Sequence, residues 1–467
     1  MEQIFLMKHE LLLMLLMALM LIVRISEEEP NNASWIRMFN VLFFLNCIGG
    51  WFYNSSGMSF SNMFVNNEIL AFEKNILNTG TFIICMFSSG WLQKQRHIAE
   101  FYLLLITALL GMFFMLSSGN LLMFYLAVEM SAIPIAALCN FNHDERRSSE
   151  AAMKMIFSSA FSSCLMLLGI SFLYGATGSL DFIELAAAAS SPIFLVGFVL
   201  FFSGLIFKLS VVPFHFWTAD VYEGSPVAVT AFLSVISKGS MVFVFASLLY
   251  KVFPTLQQEW YTLLCIFSVL TMITGNLFAI RQDNLKRFLA FSSITQVGFI
   301  LIGISGNMQD GITSSLYFII IYLFSNLAAF AIVSRITEVT GKETISQYKG
   351  LYKTNPVLSW ALALALFSLA GIPPTAGFFG KIFLLTSGAS KGNFILISVA
   401  ALNMIVSLYY YLRVIRAVFM ENSDEAIPAL ATGFVYKIAL LLCISGILLT
   451  GFFGSVYQYI YLLSAGI

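Results

Sequence analysis

Residues 191–226 read SPIFLVGFVLFFSGLIFKLSVVPFHFWTADVYEGSP. The stretch opens on an apolar run, and Lys208 falls about where a membrane-crossing helix reaches mid-depth. Roughly 20 helical residues cross the ~30 Å of hydrocarbon in a bilayer, so the segment 193–222 is too long for one straight crossing. Pro213, five residues past the lysine, lacks a backbone donor and displaces the carbonyl four residues back. The segment therefore reads as two half-helices with an unwound joint near 209–212. Irregular backbone at that depth is tolerated only where buried protein or water satisfies it.

The rest of the chain fits a membrane reading. Of 467 residues, 59% are hydrophobic and only 10% are charged. Soluble domains run nearer a quarter charged, so a soluble chain of this composition would lack a surface. The class is an all-α polytopic membrane protein. A formal net charge of zero argues against nucleic acid as a partner. Cys47, Cys85, Cys139, Cys164, Cys265 and Cys443 stand singly among apolar residues, with no CxxC or His/Cys cluster. No metal, haem or iron–sulfur site is expected, and the thiols read as small core residues. The start, MEQIFLMKHELLLMLLMALMLIVRI, has no small-residue cleavage site and runs into SEEEP, so it reads as a retained first helix.

Hydropathy places fourteen spans near 5–25, 36–53, 69–90, 98–117, 120–141, 150–174, 193–222, 226–250, 258–280, 286–305, 312–336, 356–388, 394–419 and 432–462. The basic residues check the count. Arg24, Arg37, Lys94, Arg96, Arg146, Arg147, Arg281, Lys286, Arg287, Arg335, Lys342, Lys349, Lys353, Arg413, Arg416 and Lys437 fall at alternate connections, against Lys8, Lys74, Lys251 and Lys391 on the other side. Cytoplasmic loops carry the excess of Lys and Arg, so both termini are expected to face away from the cytoplasm. Loops are short, and no nucleotide loop, dinucleotide fingerprint or catalytic triad is seen. Whatever chemistry the chain performs lies inside the bilayer.

Of the basic residues four lysines remain, Lys154, Lys208, Lys238 and Lys381, all within spans, and Glu129 joins them. Each costs ~2.5–3.5 kcal/mol at mid-membrane on insertion scales. Lys154 lies about a turn from its cytoplasmic end and can snorkel, or Glu129 and Lys154 can form a structural ion pair. Lys208 and Lys381 are harder to dismiss, because both neighbour helix breaks. The second break is SLAGIPPTAGFFGKIFLL, with Pro373 and Pro374 mid-span and Lys381 seven residues beyond the latter. Paired interruptions in two halves of a chain point to an ion pathway, although proline kinks also occur in inert helices. A faint likeness of SGNLLMFYLAVE (118–129) to QDNLKRFLAFSS (282–293) supports an internal five-helix repeat. The expected organisation is 1–97 for three N-terminal helices, 98–250 and 258–420 for two repeats, and 431–467 for a last helix.

The stretch FKLSVVPFHFWTADVYEGSPVAVTAFLSVISK (207–238) closely resembles the N-subunit family of proton-pumping NADH:quinone oxidoreductase, respiratory complex I, called subunit 2 in mitochondria. Its specific part is PFHFWTADVYEGSP, where sister antiporter-like subunits usually carry Leu-Pro-Asp-Ala and Ala-Pro-Thr. Further matches are NLFAIRQDNLKRFLAFSSITQVGFILIG and LAGIPPTAGFFGK. The resemblance implies two inverted five-helix repeats, helices 4–8 and 9–13, with helices 7 and 12 broken. It implies that Glu129 and Lys154 form the helix 5 and 6 pair, that Lys208 is the central lysine, Lys238 the connecting one and Lys381 the exit-side one. His215 matches the family histidine between the lysines; taken alone, a histidine flanked by aromatics also reads as a core residue. Helix 11 carries no ionisable group at its middle, so a continuous axis depends on waters or on Tyr317, Tyr322 and Asn326.

The resemblance further implies a multi-pass bacterial inner-membrane subunit whose partners are a neighbouring antiporter-like subunit, small membrane subunits and lipids. NADH, FMN, iron–sulfur clusters and quinone are expected in other subunits, with no cofactor or metal on this chain. Lysine suits proton carriage. A carrier must load and unload near neutral pH, and burial or a neighbouring cation disfavours the charged form of an amine. Such groups titrate as a coupled set. Rival readings are a cation/proton antiporter subunit, a related complex fed by another electron donor, and a structural subunit that pumps nothing.

Overall fold

The computed structural model describes residues 5–26, 32–52, 54–422 and 425–465. The acidic run at 27–29 lies outside the described residues. The helices are α1 Lys8–Ser26, α2 Asn32–Trp51, α3 Glu68–Phe87, α4 Ile98–Leu116, α5 Leu121–Cys139, α6 Arg146–Thr177, α7 Pro192–Lys208 and α8 Phe216–Gly224. They continue with α9 Val227–Lys251, α10 Gln257–Arg281, α11 Leu285–Ile304, α12 Met308–Thr340, α13 Pro356–Ala370, α14 Ala376–Ala389, α15 Phe394–Met420, α16 Phe434–Phe452 and α17 Ser455–Ser464. A short antiparallel hairpin, Gly57–Ser59 with Phe64–Asn66, joins α2 to α3. Nine helices of the described residues are long and apolar enough to cross a membrane.

Local sequence sets the helix ends. Ser191 accepts a hydrogen bond from Phe194 N, and Pro192 follows at the first helical position of α7. Asn120, Asn284 and Asn393 cap α5, α11 and α15 through their side-chain oxygens. α13 stops at Gly371, whose φ is +83°, a left-handed conformation that suits glycine. A Cβ there would also lie 3.0 Å from Lys381 Cδ. Gly371→Ala is therefore expected to lower thermal stability by about 1–2 kcal/mol, read as an earlier melting transition.

Both anticipated breaks are present. Residues 209–215 separate α7 from α8, and 371–375 separate α13 from α14; each contains a cis X-Pro peptide bond.

The chain forms two compact units. The first comprises Met1–Phe82, Leu92–Leu209 and Ser240–Trp260; the second comprises Ile83–Trp91, Ser210–Gly239 and Tyr261–Ile467. Within the first, α6 and α7 make the most extensive pairing. Gly169 makes this approach possible, since a Cβ there would lie 2.4 Å from Phe201 N. Small residues serve membrane helices in this way, because lipid tails supply no hydrophobic drive between them. Within the second, α11 and α12 are buried almost throughout, and α8, α13, α14 and α16 pack around them. The outer faces of α6 and α15 stay apolar and exposed, as surfaces meeting lipid or other subunits do.

Candidate functional site

The first unit holds three of the candidate residues. Lys208 ends α7, and its Nζ donates to Ser159 Oγ of α6 at 2.7 Å. Glu129, on α5, accepts a short hydrogen bond from Ser163, one turn along α6 from Ser159, and lies within electrostatic reach of Lys208. Lys154 is 42% exposed and forms an ion pair with Glu150 one turn away at 2.8 Å. Glu129 and Lys208 thus share one polar patch on α6, while Lys154 sits near that helix's start.

The second unit holds His215, Lys238 and Lys381. His215 is buried at the N-cap of α8, with its ring centroid 4.4 Å from that of Phe216. Two hydrogen bonds tie the break before it: Thr218 Oγ1 donates to Ser210 Oγ at 2.6 Å, and the backbone Val212 N donates to Thr271 Oγ1 at 3.1 Å. Buried backbone without such partners would be costly at that depth. Ser210 itself holds φ +62°.

Lys238 follows a single π turn, Phe232–Ser237, within α9. Such single turns within α-helices are frequent at functional sites. Its Nζ donates to Ser293 Oγ at 2.7 Å and lies 5.4 Å from the centroid of the Tyr222 ring. Ser234, in the π turn, shares a hydrogen bond with Tyr322 at 2.9 Å and accepts one from Asn326 Nδ2 at 2.9 Å.

Lys381 is fully buried on α14 and reaches back across its break. Nζ donates to the carbonyls of Leu369 at 2.8 Å and Ala370 at 3.1 Å. These are terminal carbonyls of α13, where the helix dipole favours a cation. Phe299 supports the amine, with its centroid 4.9 Å away. Among the described residues, no carboxylate forms an ion pair with Lys238 or Lys381.

Some of the polar lining escaped the sequence reading. Ser293 and Gln296 on α11 and Tyr411 on α15 carry no charge, and such residues are common in membrane helices. Gln296 Nε2 donates to Leu369 O and to Tyr411 Oη, both at 3.1 Å, and Tyr411 makes a short bond with Ser292. Of the three groups expected to bridge the axis, Tyr322 and Asn326 meet near Lys238. Tyr317 instead donates to Thr450 O at 2.6 Å and packs on Phe383 and Tyr457.

A second omission lies in the N-terminal helices. Lys74, counted by sequence as a flanking lysine, is fully buried in α3, and its Nζ lies 2.7 Å from Glu10 Oε1 of α1. Glu73 beside it is buried within electrostatic reach of Lys251. Counting charges by span missed these because they sit close to span ends, where solvation is the default expectation.

Comparison with known proteins places the chain. The family model described as NADH:quinone oxidoreductase/Mrp antiporter, TM, matches residues 118–407. NADH-quinone oxidoreductase subunit N of Azobacteroides pseudotrichonymphae is 43% identical over 422 residues, covering 89% of this chain and 88% of that protein. The chain belongs to the NADH-quinone oxidoreductase subunit N family.

Subunit N of Phocaeicola vulgatus is likewise 43% identical, over 404 residues, covering 85% of this chain and 86% of that protein. A chain in the structure of respiratory complex I from Thermus thermophilus with bound aureothin superposes with a TM-score of 0.80. It is 27% identical, and the alignment covers 96% of this chain and 98% of that one. A chain of the Mrp complex from Dietzia sp. shares the fold, with a TM-score of 0.89 at 20% identity, over 100% of this chain and 97% of that one. Within this subunit N family chain the family match begins after α4, so the Glu10–Lys74 pair precedes the matched region.

Proposed function

We infer that this chain is a proton-translocating membrane-arm subunit of an NADH:quinone oxidoreductase, carrying protons on buried lysines and driven by redox chemistry in other subunits. The observation that carries the reading is the partnering of the amines. Lys208 rests on a serine hydroxyl, Lys238 on another, and Lys381 on two backbone carbonyls. Each partner accepts a hydrogen bond from an ammonium, and none is a full negative charge that would hold the proton permanently. Glu129 near Lys208 supplies an adjustable bias: a carboxylate that approaches favours the ammonium, and one that retreats releases it.

In this proposal a cytoplasmic proton loads Lys208, passes by His215 and Lys238, and leaves from Lys381. Lys154, with Glu129, adjusts loading near the neighbouring subunit. The fourteen crossings, the two inverted repeats, the bacterial inner membrane and the non-cytoplasmic termini belong to the same reading. Partners are the antiporter-like and small membrane subunits beside it, and lipids. NADH, FMN, iron–sulfur clusters and quinone are handled by other subunits. The assembled complex is then a translocase, with no redox step in this chain.

The test is Lys208→Ala in assembled complex reconstituted in vesicles. Protons moved per NADH oxidised should fall, with the assembled amount unchanged; full stoichiometry would remove the role from Lys208. The Mrp likeness favours a second reading, cation/proton exchange. Exchange of sodium or potassium for protons without NADH would support it.

A further inference from the structure

We propose that Gln296 and Tyr411 are positioning residues for the proton carried by Lys381, with the Gln296 carboxamide oxygen holding the water that exchanges that proton. The inference rests on Lys381 being a carrier, as inferred above. Three observations on α11, α13 and α15 carry it.

Two donors converge on one acceptor. Leu369 O accepts from Lys381 Nζ at 2.8 Å and from Gln296 Nε2 at 3.1 Å. The amide and the amine therefore lie side by side. The same Nε2 donates to Tyr411 Oη at 3.1 Å. This fixes the amide's orientation, because a flipped carboxamide would aim its oxygen at a carbonyl that can only accept.

The oxygen left over has no partner. Gln296 is 1% exposed, and its Oε1 is buried without a hydrogen bond among the described residues. An acceptor in that position costs about 1–3 kcal/mol unless a donor reaches it. A water bonded to the adjacent amine supplies one.

The third observation is the connection. Tyr411 bonds Ser292, and the next residue, Ser293, accepts from Lys238. α11 thus supplies Ser293 to Lys238 and, one turn further along the same helix, Gln296 to the carbonyl that holds Lys381. Two carbonyls each take one N–H of the Lys381 ammonium, leaving a third proton for release. On release one N–H bond breaks, its electron pair stays on Nζ as the amine lone pair, and the proton passes to water. Gln296 and Tyr411 gain and lose no net proton.

Among the elements packed against α14, the titratable groups are Lys286 and Arg287 on α11 and Asp310, Tyr317, Tyr322, Arg335 and Glu338 on α12. α15 adds Tyr409, Tyr410, Tyr411, Arg413 and Arg416; α16 adds Tyr436, Lys437 and Cys443. Among the described residues neither carboxylate of this set, Asp310 or Glu338, forms an ion pair with Lys381, whose amine bonds the Leu369 and Ala370 carbonyls. α13 carries no titratable group.

The test uses assembled complex in vesicles, with turnover and proton flux measured from pH 6 to 9. Gln296→Glu keeps the side-chain shape and adds a carboxylate beside the amine, which favours its charged form. Proton-coupled turnover should then need higher pH, with the profile displaced by about one unit or more. Gln296→Leu and Tyr411→Phe should each lower proton flux about tenfold and change the solvent isotope effect. Lys381→Ala is the control. If it stops pumping while all three variants keep the unaltered profile, isotope effect and flux, the positioning role is overturned and the reading of Lys381 stands. If Lys381→Ala pumps normally, the carrier reading falls and this inference with it. Should Gln296→Leu fail to assemble, the two near-isosteric variants decide the outcome.

Discussion

Replacing Lys238 with alanine or methionine is expected to leave the complex assembled and to cut NADH-driven proton flux by about 10² or more, the range of a lost positioned proton-transfer group. Lys238 is 3% exposed, on Ser293 and beside the Tyr222 ring, with no ion pair among the described residues. Ser234, Tyr322 and Asn326 nearby are ordinarily neutral and cannot take over as carriers at physiological pH. A buried amine without a carboxylate is costly to insert, so removing it relieves a penalty instead of exposing an orphaned partner. Lys238→Met should therefore melt at the same temperature or higher while its flux collapses. That pairing of outcomes separates a carrier from a packing residue: a purely structural lysine predicts a lower melting temperature and normal flux in whatever assembles. Flux per NADH and the melting temperature, measured on one preparation, decide between them.

The difference between Lys238 and Ser293 also explains what the sequence could reveal. A charge in an apolar segment is rare enough to be noticed, and both proline breaks lie beside or before such charges. Spans expected near 98–117, 120–141 and 286–305 correspond to Ile98–Leu116, Leu121–Cys139 and Leu285–Ile304, because hydropathy registers length and apolarity directly. Partners are another matter. Ser159, Ser293, Gln296 and Tyr411 act only through which helix they face, and that depends on packing between segments far apart in the chain. The π turn before Lys238 leaves no compositional mark either. Tyr317 shows the converse case: its depth suits an axis residue, and its hydroxyl donates to Thr450 O, a partner that the sequence does not reveal.

The N-terminal helices give the largest expected effect on stability. Lys74→Met alone should destabilise the folded chain by about 3–5 kcal/mol, since it leaves the Glu10 carboxylate buried without its counter-charge. Both side chains are 0% exposed and their charged atoms lie 2.7 Å apart, so solvent and salt screen the pair little. The surroundings are polar but offer no second cation in ion-pair contact with Glu10 among the described residues. Lys74 also reaches Asn66 at 3.4 Å, His9 meets Asn75 at 3.2 Å, and Asn75 donates to Gly50 O at 3.2 Å. Glu10→Gln combined with Lys74→Met removes both charges and should recover most of the loss, because desolvation of the pair disappears together with its attraction. Thermal melting of the purified complex measures the cycle. A double variant as unstable as Lys74→Met would show that the attraction of the pair itself, rather than compensation of a buried charge, holds α1 against α3. Proton stoichiometry should stay unchanged in the double variant, since α1 to α3 carry none of the residues assigned to transfer.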